Sequence, residues 1–148
     1  EDIVQAMYNI AFIYGKKSDN EKSIKTYDEL IKKYKNFENI KILELISKAM
    51  INKANRLKDM FKNDEALEIY DELIDRFENY SGEILNQVAI ALHNKTIILS
   101  QTNNEKELIK VCDLIIEKFS NINNEMVLNI VSTAQVIKDK DRFNNNSW

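Results

Sequence analysis

The chain has 148 residues, 44% apolar and 30% charged, with a net charge of −3. That length supports one structural domain, and the apolar–charged balance fits a folded helical protein and excludes a disordered one. The acidic net charge excludes the basic stripe of a nucleic-acid binder, no prolines and two glycines leave too little turn punctuation for a β-sandwich or α/β fold, and one cysteine, Cys112, excludes an internal disulfide framework.

From the N-terminus, Met7, Ile10, Ala11 and Tyr14 predict a helix over about 2–16. Ile24, Tyr27, Leu30, Ile31 and Tyr34 form one apolar stripe and predict a helix over 20–35. Ile46, Ala49, Met50, Ala54 and Leu57 predict 39–59, and Leu67, Tyr70, Leu73, Ile74 and Phe77 predict 63–77. Val88, Ala91, Leu92 and Leu99 predict 82–101, followed by 105–119 on Ile109, Cys112, Ile115, Ile116 and Phe119. Met126, Val127, Ile130, Val131, Ala134 and Ile137 predict a last helix over 124–140. Ser18-Asp19-Asn20, Asn63-Asp64 and Asn103-Asn104 offer side-chain oxygens to the orphan N–H groups of the helices that follow them. Asn36, Asn79 and Asn121, each followed by an apolar residue, are expected as left-handed helix caps. Residues 141–148 read as a frayed tail carrying Trp148.

The chain repeats itself. Ala6-Met7-x-Asn9 returns as Ala49-Met50-x-Asn52 and as Ala91-Leu92-x-Asn94; Tyr27-Asp28-Glu29-Leu30-Ile31 returns as Tyr70-Asp71-Glu72-Leu73-Ile74 and, weakened, as Cys112-Asp113-Leu114-Ile115-Ile116. From Asn9 to Asn52 is 43 residues, and from Asn52 to Asn94 is 42. A period of that size marks stacked supersecondary units that bury one another's apolar faces. The units span about 2–37, 39–80 and 82–122, with 124–140 as a capping helix in one domain of 1–140. Because the first unit starts almost at Glu1, the chain reads as a fragment of a longer protein.

These residues resemble the tetratricopeptide repeat family, in its longer bacterial variant of about 42–43 residues. The first unit supplies Met7, Ile10-Ala11 and Tyr14, then Ser23, Tyr27 and Leu30; the second Met50, Lys53-Ala54 and Leu57, then Ala66, Tyr70 and Leu73; the third Leu92, Lys95-Thr96 and Leu99, then Leu108, Cys112 and Ile115. The family's closing Pro is missing. Leu30, Leu73 and Ile115 stand where a small residue is preferred, and Lys53 and Lys95 occupy an apolar position, so their stems must snorkel or that face must be open. HEAT-type repeats share the period and remain the alternative, although their kinking Pro and Asp/Arg pair are not found.

The resemblance implies an all-α, right-handed α-solenoid of three antiparallel helix pairs plus a capping helix. It implies a protein-interaction module that binds a peptide or helix of a partner in the concave groove lined by the first helix of each pair. Mapping from Met7, Met50 and Leu92, the groove positions are Gln5, Tyr8, Asn9 and Phe12; Lys48, Ile51, Asn52 and Asn55; and Ile90, His93, Asn94 and Ile97. Asn9, Asn52 and Asn94 recur at one position, and their amides could grip an extended backbone at regular intervals. The bland reading is that Asn is abundant here and these are ordinary polar groove residues.

His93, the only histidine, falls at the repeat position of Tyr8 and Ile51 and reads as a groove wall, since spacing places no partner that would make it a general base. Cys112 replaces Tyr27 and Tyr70 in the core stripe and reads as packing. No metal-ligand cluster, phosphate loop or nucleophile motif is found, so no catalytic residue, metal or cofactor is expected. No apolar run approaches the roughly 20 residues of a membrane span. A protein or peptide partner is expected, with neither nucleic acid nor membrane, in the cytoplasm. Two further roles stay open: self-association by end-to-end stacking as a structural spacer, and a sensor segment of a larger enzyme or transcription regulator.

Overall fold

The computed structural model describes residues 1–145, with side chains through Phe143. Among the described residues there are seven α-helices and no strand: α1 Asp2–Lys16, α2 Asn20–Tyr34, α3 Ile40–Asp59, α4 Asn63–Phe77, α5 Gly82–Gln101, α6 Glu105–Phe119 and α7 Glu125–Asn145. α1 to α4 pack in succession and α6 packs on α7, an all-α helical-repeat architecture as expected from the period. The chain divides into two compact units, 1–88 and 89–148, with the division inside α5.

In the first unit, α3 packs against α1, α2 and α4. With neighbours on three sides, α3 buries a wide apolar face, Ile42, Leu43, Ile46, Ala49, Met50, Ile51, Ala54 and Leu57. Tyr27, Leu30, Tyr70, Leu73 and Phe77 of α2 and α4 meet it, each buried. Gly15 is the point of closest approach at the end of α1: a Cβ there would lie 3.2 Å from Ser23 Oγ and 3.3 Å from Arg56 Cδ. Ser23, fully buried, donates to the Ala11 carbonyl at 2.8 Å, so the small-residue position of α2 also satisfies its own hydroxyl.

In the second unit α6 packs on α7. Leu108, Val111, Cys112, Ile115 and Phe119 face Val127, Ile130 and Ala134, all buried. Cys112 is core packing, and burial pushes its thiol up to about 11.

Lys53 does not lie on an open face. Its ammonium reaches back to Asp28 of α2 at 2.5 Å. Lys138 of α7 reaches back to Asp113 of α6 in the same way. Each is a lysine on the first helix of one pair joined to an aspartate on the second helix of the pair before it. Asp28 and Asp113, each about half exposed, thus link a helix pair to the helix that follows it.

The turns differ from the expectation. The left-handed residues are Ser18, Phe61 and Asn103, in the turns within each pair, together with Gly82. In each of the three turns the residue after the left-handed one donates its N–H five residues back: Asp19 to Tyr14 at 3.0 Å, Lys62 to Leu57 at 2.9 Å and Asn104 to Leu99 at 3.0 Å. The left-handed residue itself donates three back, to Gly15, Lys58 and Ser100. This is the Schellman pairing, which reverses the chain with main-chain hydrogen bonds alone.

Asn36, Asn79 and Asn121 are not left-handed caps. The caps Lys35, Glu78 and Ser120 keep right-handed helical geometry. The links between pairs are closed instead by a three-residue turn, Phe37 N–H to Tyr34, Tyr80 to Phe77 and Ile122 to Phe119. In the first two an edge-on aromatic pair seals the turn, with centroids 5.1 and 5.6 Å apart. At the helix starts, Asp19, Asn39 and Asn124 accept from first-turn N–H groups, whereas α4 is preceded by Lys62 and Asn104 makes no side-chain cap. The last helix runs to Asn145, beyond the expected 140, so the segment read as a tail is helical to that point; Trp148 lies outside the described residues.

Candidate functional site

In the first unit, Tyr8, Phe12, Asn52 and Arg56 converge between α1 and α3. The Asn52 amide donates both hydrogens, to Tyr8 Oη at 2.9 Å and Tyr27 Oη at 3.2 Å. Tyr27 is buried in α2, and burial pushes its phenol up to about 12, against the Asn52 hydrogen bond, so it stays a neutral acceptor. Tyr8 stacks on Phe12 at 6.4 Å and tilts against Tyr27 at 5.9 Å. Phe12 is 43% exposed, with the Lys16 ammonium 5.2 Å above its ring. Arg56 donates to the Gly15 carbonyl at 3.3 Å and pairs with Asp59 at 3.2 Å. Together Phe12, Lys16, Tyr27, Asn52 and Arg56 line a cleft of about 190 Å³.

The other expected groove residues of this unit are spread among different roles. Asn9 is exposed and accepts from Gln5 at 2.9 Å. Asn55 accepts from the Tyr70 hydroxyl at 2.7 Å. Lys48 pairs with Glu83 at 3.2 Å. Burial raises the Glu83 carboxyl, but the hydrogen bonds from Lys48, Asn86 and Gln87 outweigh it and hold the group below the usual carboxylate range. Ile51, expected as a groove wall, is 5% exposed and belongs to the core.

In the second unit, His93 lines an open cleft of about 450 Å³ with Ile90, Met126, Asn129, Ile130 and Thr133. Ile97 is half-buried on the same helix. Asn94 is 8% exposed. The three recurring asparagines are therefore not equivalent: one is exposed, one is clamped by two phenols and one is buried. Among the described residues there is no cluster of His, Cys, Asp and Glu that could hold a metal.

Residues 5–36, which are α1 and α2, match the tetratricopeptide repeat family model. That segment is similar to one tetratricopeptide repeat. The later helix pairs follow the matched one through the internal repetition of the sequence. No curated protein matches the chain. Tetratricopeptide repeats generally mediate protein–protein interaction and are typically non-enzymatic modules. No helix of the described residues is long and apolar enough to cross a membrane.

Sequence reasoning missed Tyr27, Lys16 and Arg56 as lining residues of the first cleft. Tyr27 belongs to the core stripe yet also lines the cleft and accepts from Asn52, a double role that periodicity does not reveal. It also missed Met126, Asn129 and Thr133, because α7 was read only as a cap. The signal available was the absence of any partner pattern for the α7 face opposite Val127 and Ala134.

Proposed function

We propose that this protein binds an extended peptide segment of a partner protein along the exposed side of α1 and α3, with the α1–α3 cleft as an anchor. The observation that carries this reading is the fixed Asn52 amide. Two phenol oxygens consume its N–H donors and set its orientation, leaving Oδ1 to accept from a peptide N–H. A ligand meeting a pre-oriented acceptor forgoes the ordering cost that a mobile side chain would add. Beside it, the half-exposed Phe12 ring offers an apolar contact of the kind that dominates peptide affinity. His93, Ile90 and Met126 offer a second, more apolar contact surface in the other unit. The buried Asn94 takes no part, so the grip is one amide with flanking aromatics rather than a three-rung ladder.

The test is selection of peptides from a displayed random library, then titration of one selected peptide by calorimetry. Phe12→Ala and Asn52→Ala are each expected to weaken it by roughly tenfold or more, corresponding to loss of one good anchor. Unchanged far-UV circular dichroism checks that each variant is folded. A selected peptide whose affinity ignores both substitutions overturns the reading.

A further inference from the structure

One apolar face of the molecule is used by neither the core nor the cleft. On α1, Ile3 is 65% exposed, Ile10 48% and Ile13 50%, with the exposed Ala6 between them. Positions 3, 6, 10 and 13 follow the three-and-four spacing of a helix-pairing seam. The buried residues of α1, Val4, Ala11 and Gly15, lie on a different side of the helix. Ile10 was expected to be covered, since it holds the register of Lys53 one repeat later. Where that register carries lysine, the ammonium reaches the aspartate of the preceding helix, as Lys53 does with Asp28. Another repeat of this kind laid on α1 would set its aspartate beside the Ile10 side chain, without the lysine that Asp28 finds in Lys53. The α1 face offers an apolar helix a continuous seam.

We infer that this face pairs with α1 of a second copy of the chain, antiparallel, across a two-fold axis near Asn9. Turned antiparallel, the seam is self-complementary: Ile3 meets Ile13 of the second copy, and Ala6 meets Ile10. Along its open flank, at seven-residue steps, stand Asp2, Asn9 and Lys16, all exposed. Antiparallel pairing sets Asp2 against Lys16 of the second copy at both ends and Asn9 against its own equivalent at the centre. The Asn9 Oδ1 accepts from Gln5, and its amide N–H groups are left to donate to the other copy. Parallel pairing would bring Glu1 and Asp2 beside their equivalents and Lys16 and Lys17 beside theirs, like charge on like. The helix dipoles also favour the antiparallel sense. A contact confined to one 15-residue helix is small, so the association is concentration-dependent rather than permanent.

The test is sedimentation equilibrium of the chain from about 10 μM to about 1 mM, the range in which small interfaces fill. The mass is expected to rise from 17.4 kDa towards twice that value and stop there. Ile10→Asp should raise the dissociation constant by roughly a hundredfold or more, because in a two-fold interface each substitution counts twice. Lys16→Asp should weaken the dimer, and adding Asp2→Lys should restore it. Circular dichroism and thermal melting of the half-exposed Ile10 variant separate loss of pairing from loss of fold. A monomer at every concentration, a mass that climbs past the dimer, association that ignores Ile10→Asp, or a double swap that fails to rescue would each overturn the inference.

Discussion

Phe61 shows what the backbone demands at one residue. It sits at φ +60° with 91% of its surface exposed, so neither sterics nor burial favours an aromatic there. The turn needs a left-handed residue, and the main-chain bonds from Phe61 and Lys62 hold it in that shape. Phe61→Gly removes the Cβ penalty at a position where helices most often place glycine. It should stabilise the protein by about 1 kcal/mol in urea unfolding, with an unchanged m-value. Gly82, at φ +62° with nothing within 4 Å of a Cβ, bears the opposite lesson. Any L-residue there meets strain in the backbone rather than a clash.

Among the helices, Tyr70 tests how α4 is held. Its ring is fully buried and its hydroxyl donates to Asn55 of α3, so truncation opens a cavity and strands an acceptor. Tyr70→Ala should cost about 3–5 kcal/mol in equilibrium unfolding. At this scale the sequence was most legible. Six of seven helix ends at the C-terminal side fall within one residue of the periodicity's estimate, because apolar stripes report directly which side of a helix is covered. The turns were less legible. The Asn residues after α2, α4 and α6 looked like left-handed caps, yet the left-handed conformation went to Ser18, Phe61 and Asn103, where the tight reversal within a pair required it. Groove assignments were weakest of all. Ile51 and Asn94 hold the same repeat positions as the half-buried Tyr8 and the exposed Asn9, but both are buried. A repeat position fixes a side chain's angle on its helix, not how many other elements come to meet it.

For the molecule as a whole, with a net charge of −3, stability depends on where its carboxylates find donors. Glu83, held below the usual carboxylate range by Lys48, Asn86 and Gln87, favours the folded state in its ionised form. Its contribution is complete above the ordinary carboxylate range and is lost as pH falls through the lowered folded value. The pair is about 40% exposed, so solvent screens most of its Coulomb energy. Glu83→Gln should cost roughly 0.5 kcal/mol at pH 7 and close to nothing at pH 3, measured by urea titration at both pH values.

The Schellman reversals carry one more consequence. Main-chain atoms alone close them, and the three occupants of the left-handed position are a serine, a phenylalanine and an asparagine. Side-chain identity is thus spare capacity at these corners. The inner turns of the pairs are the places where this protein can drift in sequence, or accept a grafted epitope, while its helices keep their register.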